Sequence, residues 1–191
     1  MNHGKGGRDV KWNKSDDASL TLDLGCGSYC RGRVGIDIDL EWSHPLHDPT
    51  RFDKYSAPRN PHADLIIADA NYPLPFRDNA FDKVFMIHVI EHLLRPYDCL
   101  CEVRRVLKPG GELILITPNA RVSPADWRDE GHVYSFTIKT IERLVSKVFE
   151  IVECRILEEE PIVGHDIYVR AKKPDQEEGM GHHHNPRCMQ I

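Results

Sequence analysis

The chain has 191 residues, of which 40% are hydrophobic and 29% are charged, a balance typical of a globular domain and not of a disordered chain. Its longest apolar runs, Val84–Ile87 and Leu113–Ile116, are far shorter than the ~20 residues that cross a bilayer, so an integral membrane protein is excluded. The net charge of −5 argues against a general nucleic-acid binder but does not exclude a local basic surface.

The composition divides the chain into three parts. Residues 1–18 are rich in Gly, Lys, Asp and Asn and predict a flexible arm, or an arm that becomes ordered on a partner. Residues 173–191 form a polar tail that contains His182, His183 and His184, and this tail is expected to be disordered. A single domain is expected over residues 19–172.

Short apolar runs predict strands in the first half of this domain. A glycine turn at residues 25–27 follows the first of them, and a polar, proline-rich loop over residues 41–62 separates the second from the third. The strands are expected at Leu20–Leu24, Val34–Ile38, Asp64–Ala68 and Lys83–His88.

A helix opens the second half of the domain. Pro96 suits its first turn, apolar residues recur at helical spacing up to Leu107, and the sequence Lys-Pro-Gly-Gly at residues 108–111 predicts a helix stop and a turn. The remaining elements are expected to be a strand at Glu112–Thr117, a helix over Ile138–Val148, and two closing strands at Phe149–Leu157 and His165–Ala171.

Strands therefore alternate with helices or long connections, and two strands end the domain. This order predicts an α/β fold with an open, doubly wound, mostly parallel sheet that ends in an antiparallel hairpin. In such sheets, ligands bind beyond the carboxyl ends of the strands. The motifs described next all lie at such ends.

The cysteines indicate a reducing environment. Their spacing fits neither a disulfide framework nor a zinc pattern, and the polar N-terminus has no apolar segment typical of a secretion signal. We therefore expect free thiols and a cytoplasmic location. The six cysteines are Cys26, Cys30, Cys99, Cys101, Cys154 and Cys188.

The first glycine turn is a candidate ligand site. The sequence Asp23-Leu24-Gly25-Cys26-Gly27 lets the backbone approach a ligand without a Cβ in the way. A dinucleotide fingerprint requires Gly or Ala at position 30, where this chain has Cys30, so an NAD site is poorly supported. Asp23 suggests a ligand with an amino group, and an ordinary strand and turn is the alternative.

Two further carboxylates follow strands. Asp37 ends the second strand, where a carboxylate can bind both hydroxyls of a ribose, and Asp39 is its nearby competitor. Asp69 and Ala70 follow the third strand. Any one of these acids alone is more often a solvated strand end, but acids at three successive strand ends indicate a common ligand.

Four segments together resemble a known family. They are LDLGCG (22–27), GIDID (35–39), ADANYPLPFRDNAFDKVFMIHVIEHL (68–93) and RVLKPGGELILITPN (105–119). With them, residues 20–171 resemble a class I, Rossmann-like S-adenosylmethionine-dependent methyltransferase of the small type-11 kind. The resemblance implies a seven-stranded sheet and S-adenosylmethionine as cosubstrate, with S-adenosylhomocysteine as product.

The resemblance also implies which residues bind the cofactor. Asp23, Gly25, Cys26 and Gly27 would lie near its methionine part, and Asp37 would hold the ribose. Asp69 and Ala70 would contact the adenine. His88, after the fourth strand, would face the cofactor.

The chain departs from the family pattern in its first connection. Only 14 residues separate Asp23 from Asp37, where a turn, a full helix and a returning strand need about 20. The first helix is therefore expected to be shortened, which removes a helix N-terminus from beneath the ligand's carboxylate. Arg31 or Arg33 is a hypothetical substitute, and a partner subunit could complete the site.

The acceptor side offers three histidines as a candidate general base. His132 is the first residue of a segment, His132–Thr137, that resembles the H-x-x-x-F-(S/T) pattern before the last helix of many small methyltransferases, and anchoring a loop is its alternative role. We name His132 and His88 as candidate catalytic residues, and His92 is the third option. Asn119, His132 and Tyr134 are the candidate substrate contacts.

No metal is expected from the sequence. The residues 88–92, HVIEH, do not match the helical H-E-x-x-H zinc pair. A proline-rich surface loop explains His44, His47 and Asp48 better than a metal site does. The tail histidines with Cys188 could chelate divalent metals in vitro.

Two functions from different classes remain. The first is a methyltransferase that acts on an unidentified acceptor by in-line displacement. The second is a non-catalytic subunit or scaffold that keeps the fold and binds the cofactor weakly or with a partner. An NAD-dependent enzyme is a distant third. No large substrate-binding insertion is visible, so the open site suits a large acceptor, or a small one if a homodimer or partner subunit supplies a lid.

Overall fold

The computed structural model describes residues 19–27, 30–39, 60, 62–122, 131–157 and 166–175. Within them the chain forms seven strands. The strands are β1 (Thr21–Leu24), β2 (Val34–Asp37), β3 (Asp64–Ile67), β4 (Phe81–Ile87), β5 (Leu107–Thr117), β6 (Glu150–Ile156) and β7 (Ile167–Lys172).

All seven strands belong to one sheet in the order β3-β2-β1-β4-β5-β7-β6. The pairs among β1 to β5 are parallel, whereas β7 runs antiparallel to both β5 and β6. The expected seven-stranded, mostly parallel sheet with a C-terminal antiparallel hairpin is therefore confirmed. Because β7 lies between β5 and β6, the hairpin joins the sheet through its second strand.

Two α-helices and one 3₁₀ turn are described. Helix α1 (Pro96–Val106) starts at a proline, as expected, and helix α2 (Ile138–Val145) starts with a capping box between Thr137 and Thr140. The 3₁₀ turn spans Ile90–His92, directly after β4. No helix lies between β1 and β2 in the part of that connection that the structure describes, in agreement with a shortened first helix.

The start of β5 differs from the sequence prediction. The strand begins at Leu107 and includes the Lys-Pro-Gly-Gly segment, which was expected to be a turn before a strand at Glu112. The glycines explain the difference, since Gly110 has a φ of +70° and its N–H donates to the carbonyl of Lys173. The segment therefore stays extended while it bends.

The core lies at the centre of the sheet. The apolar residues of β4, of the second half of β5 and of β7 are buried, and α1 and α2 pack apolar faces against them. In the described residues, no helix is long and apolar enough to cross a membrane. Several predictions lie outside the described residues: the arm 1–18, most of the loop 41–62 with His44 and His47, and the end of the tail.

Candidate functional site

The three carboxylates lie at one edge of the sheet. Strands β1, β2 and β3 are neighbours, and their parallel register pairs Leu24 with Ile36 and Asp37 with Ile67. Asp23 is the third residue of β1, Asp37 is the last residue of β2, and Asp69 follows the end of β3. The carboxyl ends of parallel strands share an edge, so the topology brings the three acids together.

The glycine turn after β1 is held by main-chain hydrogen bonds. The N–H groups of Gly25 and Cys26 both donate to the carbonyl of Ile36, at 2.8 and 3.1 Å. Gly25 has a φ of +70°, and a Cβ at this position would lie 2.3 Å from Cγ2 of Val89. Only glycine fits at position 25, because the backbone is left-handed there and because Val89, which follows β4, leaves no room for a Cβ.

Cys26 and Cys30 lie together beneath this turn. Both are buried, and the Sγ atom of each lies 2.7 Å from where a Cβ on Gly35 would stand. Their mutual hydrogen bond and their burial raise the pKa of the Cys26 thiol. A thiol with a raised pKa packs as a small apolar group and is a poor nucleophile, so Cys26 shapes the turn through packing.

Asp23 is a buried acid at the centre of the edge, only 1% exposed. Its Oδ2 accepts a hydrogen bond from the backbone N–H of Arg31 at 2.6 Å and lies 3.5 Å from the Arg31 Nη1. Burial raises the pKa of Asp23 to about 6, against the lowering effect of Arg31. Its Oδ1 is buried and, among the described residues, has no hydrogen-bond partner.

Of the two arginines considered for the shortened connection, Arg31 lies at the site. Its guanidinium faces Asp23, and its Nε is buried without a hydrogen-bond partner in the described part of the chain. Arg33 is exposed, and its backbone N–H donates to Thr21. Buried polar atoms normally have partners, so Asp23 Oδ1 and Arg31 Nε together indicate where a polar ligand would bind.

Asp37 and Asp69 organise the backbone around them. Asp37 Oδ2 accepts a hydrogen bond from Gly27 N–H at 2.7 Å, and its Oδ1 accepts one from Asp39 N–H at 3.2 Å. Asp69 Oδ1 accepts from the backbone and side-chain amides of Asn71, which closes a turn around Ala70. A carboxylate has about four lone-pair positions, so both acids can still bind ligand hydroxyl or amino groups.

His88 lies between two carboxylates at the end of β4. Its Nδ1 is 3.4 Å from Glu91 Oε1, and its Nε2 is 3.3 Å from Asp166 Oδ2. Burial alone would lower the pKa of this ring, but the hydrogen bonds to Asp166 and Glu91 outweigh it and raise the pKa to about 10. His88 also has a φ of +54°, an uncommon backbone conformation for a non-glycine residue.

The candidate substrate residues lie on two segments that run side by side. The N–H groups of Val133 and Tyr134 donate to the carbonyl of Glu91, at 2.8 and 3.0 Å. Asn119 forms a bridge with Phe136, is buried, and accepts a hydrogen bond from Arg121 N–H through its Oδ1. Thus His132 and Tyr134 come close to the residues that follow β4, and Asn119 pairs with the same segment at Phe136.

Two residues of this region were not found from the sequence. Glu91 is 1% exposed and accepts a hydrogen bond from the Thr117 hydroxyl at 3.0 Å. Its position between the two histidines of the segment 88–92 was the sequence signal that could have identified it. Asp166 reaches His88 from just before β7, and nothing in the local pattern predicts that pairing. Ligating atoms of Glu91, His92 and His132 all lie within 4.8 Å of one another.

Residues 22–115 match the model of a family described as a methyltransferase domain. Among curated proteins, the tRNA U34 carboxymethyltransferase of Hahella chejuensis is 32% identical over 108 residues, which are 51% of this chain and 32% of that protein. The chain therefore spans about a third of that relative's length.

Solved structures agree with the observed topology. A putative methyltransferase from Bacillus halodurans superposes with a TM-score of 0.60 at 19% identity, over 82% of this chain and 93% of that chain. A putative methyltransferase in complex with the Trm112 methyltransferase activator of Haloferax volcanii gives 0.62 at 16% identity, over 82% and 83%. At such identities the likeness shows the fold.

Proposed function

We propose that this chain, which belongs to the type-11 family of class I S-adenosylmethionine-dependent methyltransferases, transfers a methyl group from S-adenosylmethionine to an acceptor. The observation that carries the proposal is the pair of buried polar atoms without described partners, Asp23 Oδ1 and Arg31 Nε. The methionine part of this cofactor has one ammonium and one carboxylate group. A buried carboxylate oxygen beside a buried guanidinium nitrogen suits that pair of charges.

The other two acids extend the site along the edge. Asp37 has lone pairs left for the ribose hydroxyls after it has accepted the N–H groups of Gly27 and Asp39. Asp69, one strand further out, is assigned to the adenine together with Ala70. When bound, the cofactor supplies a methyl group on a positively charged sulfur, and the protein's task is to hold the acceptor in line behind it.

For the acceptor side we assign the candidate base to His132 in preference to His88. Each ring nitrogen of His88 already faces a carboxylate, that of Glu91 or that of Asp166, at 3.4 and 3.3 Å. His88 therefore serves as a positioning residue that links the end of β4 to the start of β7. His132 is half-buried and lies on the segment that also carries Tyr134.

Calorimetric titration of the full chain with S-adenosylhomocysteine and with NAD tests the proposal. We expect micromolar binding of the first and none of the second, with binding lost in Asp23→Asn, which keeps the size of the side chain but not its charge. Asp64→Asn, which replaces an exposed acid at the opposite end of β3 from the site, is the matched control and should bind like the wild type. Absence of binding by a folded, monodisperse wild-type chain would overturn a cofactor site in the isolated protein.

A second candidate function is a subunit that needs a partner. It is favoured by the connection between β1 and β2, where no helix N-terminus is described beneath the ligand's carboxylate. The similar archaeal chain was solved with an activator protein. If the isolated chain binds no cofactor, the next experiment is the same titration after purification from its source with any bound partner.

For the acceptor, tRNA is the first class of molecule to screen, since the name of the curated relative from Hahella chejuensis says that it acts on tRNA.

A further inference from the structure

The segment after β4 and the segment before α2 are joined by three close contacts. Val133 N–H and Tyr134 N–H donate to the Glu91 carbonyl, and His92 Nδ1 lies 2.9 Å from the carbonyl oxygen of Gly131. These contacts hold His132 against the 3₁₀ turn, although 40 residues separate it from His92 in the sequence. The rings of His92 and His132 meet edge to face, with centroids 4.6 Å apart.

This junction gathers three metal-ligating side chains. One ligating atom each from Glu91, His92 and His132 lies within 4.8 Å of the other two. We propose that Glu91, His92 and His132 form a binding site for a first-row divalent metal ion such as Zn²⁺. Two imidazoles and one carboxylate are a donor set that Zn²⁺ and its neighbours prefer, whereas Mg²⁺ and Ca²⁺ prefer oxygen ligands only.

The surroundings orient the ligands for this role. A carbonyl oxygen can only accept, so the Gly131 contact requires the proton of a neutral His92 ring on Nδ1 and leaves the lone pair on Nε2. The Thr117 hydroxyl donates to Glu91 Oε2 and fixes the carboxylate. Such second contacts to ligating histidines and carboxylates are characteristic of metal sites.

The site would contract when it is filled. Ligands bound to zinc at about 2.0–2.2 Å lie roughly 3–3.5 Å from one another, so the donor atoms must approach by about 1 Å or more. His92 is exposed and His132 is half-buried, so rotations of these two rings can bring them closer while buried Glu91 stays in place. His88 Nδ1 and Thr117 share the Glu91 carboxylate, which still has lone pairs for a metal.

Three protein ligands leave at least one coordination position open, as in catalytic zinc sites. An oxygen of the acceptor would occupy it, and in the metal-bound protein His132 would then act as a ligand in place of the base role assigned to it above. That consequence rests on the proposed function, whereas metal binding itself does not. The experiment therefore measures metal binding in the absence of any cofactor.

The test uses the full chain with His182, His183 and His184 replaced by alanine and Cys188 by serine, because these tail residues could chelate metal on their own. Zn²⁺ binding is measured by equilibrium dialysis, and Co²⁺ binding by visible absorption, which reports the ligands directly. We expect one metal ion per chain. The affinity for the metal should fall about tenfold or more in His92→Ala and in His132→Ala. Replacing residues that only hydrogen-bond to metal ligands already costs about tenfold or more, and replacing a ligand itself should cost at least as much.

His62→Ala is the matched control, since His62 is an exposed histidine on another segment, and it should bind like the parent. His92 is exposed, so its replacement is compatible with folding, which thermal unfolding of each variant verifies. Absence of metal binding by the folded parent would overturn the proposal. So would equal affinity in the parent and in either of the two histidine variants.

Discussion

The centre of this sheet, strands β4 and β5, differs sharply in burial from the edge formed by β2 and β3. Ile116 of β5 and Met86 of β4 are fully buried, whereas Ile67 of β3 is 71% exposed and Ile38, just after β2, is 69% exposed. Strands β2 and β3 have four residues each, and β4 and β5 have seven and eleven. Yet β2 carries Asp37 and β3 leads to Asp69.

This difference separates stability from ligand binding. The central strands bury most of the apolar surface and so supply most of the hydrophobic free energy. Strands β2 and β3 position polar groups at their ends, and of the two only β2 places a fully buried side chain, Ile36, in the core. Regions that bind ligands are commonly drawn from the less stable part of a fold, and the proposed site would follow that pattern.

The largest expected effect tests the division directly. Ile116→Ala removes a fully buried side chain and should lower the free energy of unfolding by about 2–5 kcal/mol. Ile67→Ala removes the same atoms from an exposed position and should change it by less than about 0.5 kcal/mol. Urea unfolding measures both. Similar losses in the two variants would show that β3 is as much a part of the core as β5.

Gly25→Ala tests the place where the two regions meet. The alanine would have to keep a left-handed backbone conformation, at a cost of about 1–2 kcal/mol. Its Cβ would also collide with Val89, at a cost of about 1–3 kcal/mol. Val89→Ala in the same chain should recover the second cost but not the first. A double-mutant cycle by urea unfolding gives the coupling, and additive losses would contradict a contact between these residues.

Much of the fold follows from local patterns in the sequence. The apolar runs at Val84–Ile87 and Leu113–Ile116 became the buried centres of β4 and β5, and chain order placed Asp23, Asp37 and Asp69 at the ends of three successive strands, which the sheet makes neighbours. These predictions succeed because alternation and burial act over a few residues. The insertion of β7 between β5 and β6 was not foreseen, because it depends on long-range pairing.

The candidate site was predictable to a smaller extent for the same reason. The early start of β5 was missed because Pro109 and Gly110 favour a turn locally, whereas hydrogen bonds with Lys173 keep the bent segment in the strand. The contact between His88 and Asp166 and the meeting of His92 with His132 join residues far apart in sequence. Only the folded chain brings such side chains together.

The smallest expected effect concerns the cost of keeping Asp23 in a buried site. Its pKa in the folded chain is about 6, above the ordinary value of 3.8, because burial disfavours the charge. As the pH rises from 4 to 6, the unfolded chain loses this proton and the folded chain keeps it. The free energy of unfolding therefore falls as the pH rises from 4 to 6 and the stability that this group contributes is lost. The total loss is about 3 kcal/mol at most.

Asp23→Asn removes this titration, so the two proteins should have similar free energies of unfolding at pH 4 and the variant should be more stable at pH 7. Asp39→Asn, which replaces an exposed acid, should show the same change in the free energy of unfolding between pH 4 and pH 7 as the wild type. Urea unfolding at pH 4, 5, 6 and 7 gives the comparison. Parallel pH profiles for the wild type and Asp23→Asn would mean that Asp23 ionises as easily in the folded chain as in the unfolded one.

The same ionisation has the opposite consequence for a ligand that carries an ammonium group. Only the carboxylate form of Asp23 attracts that cation, so the affinity for S-adenosylhomocysteine should rise by up to about tenfold per pH unit and level off above about 6. In Asp23→Asn any residual affinity should be independent of pH. The charge that destabilises the folded chain is then the charge that selects its ligand.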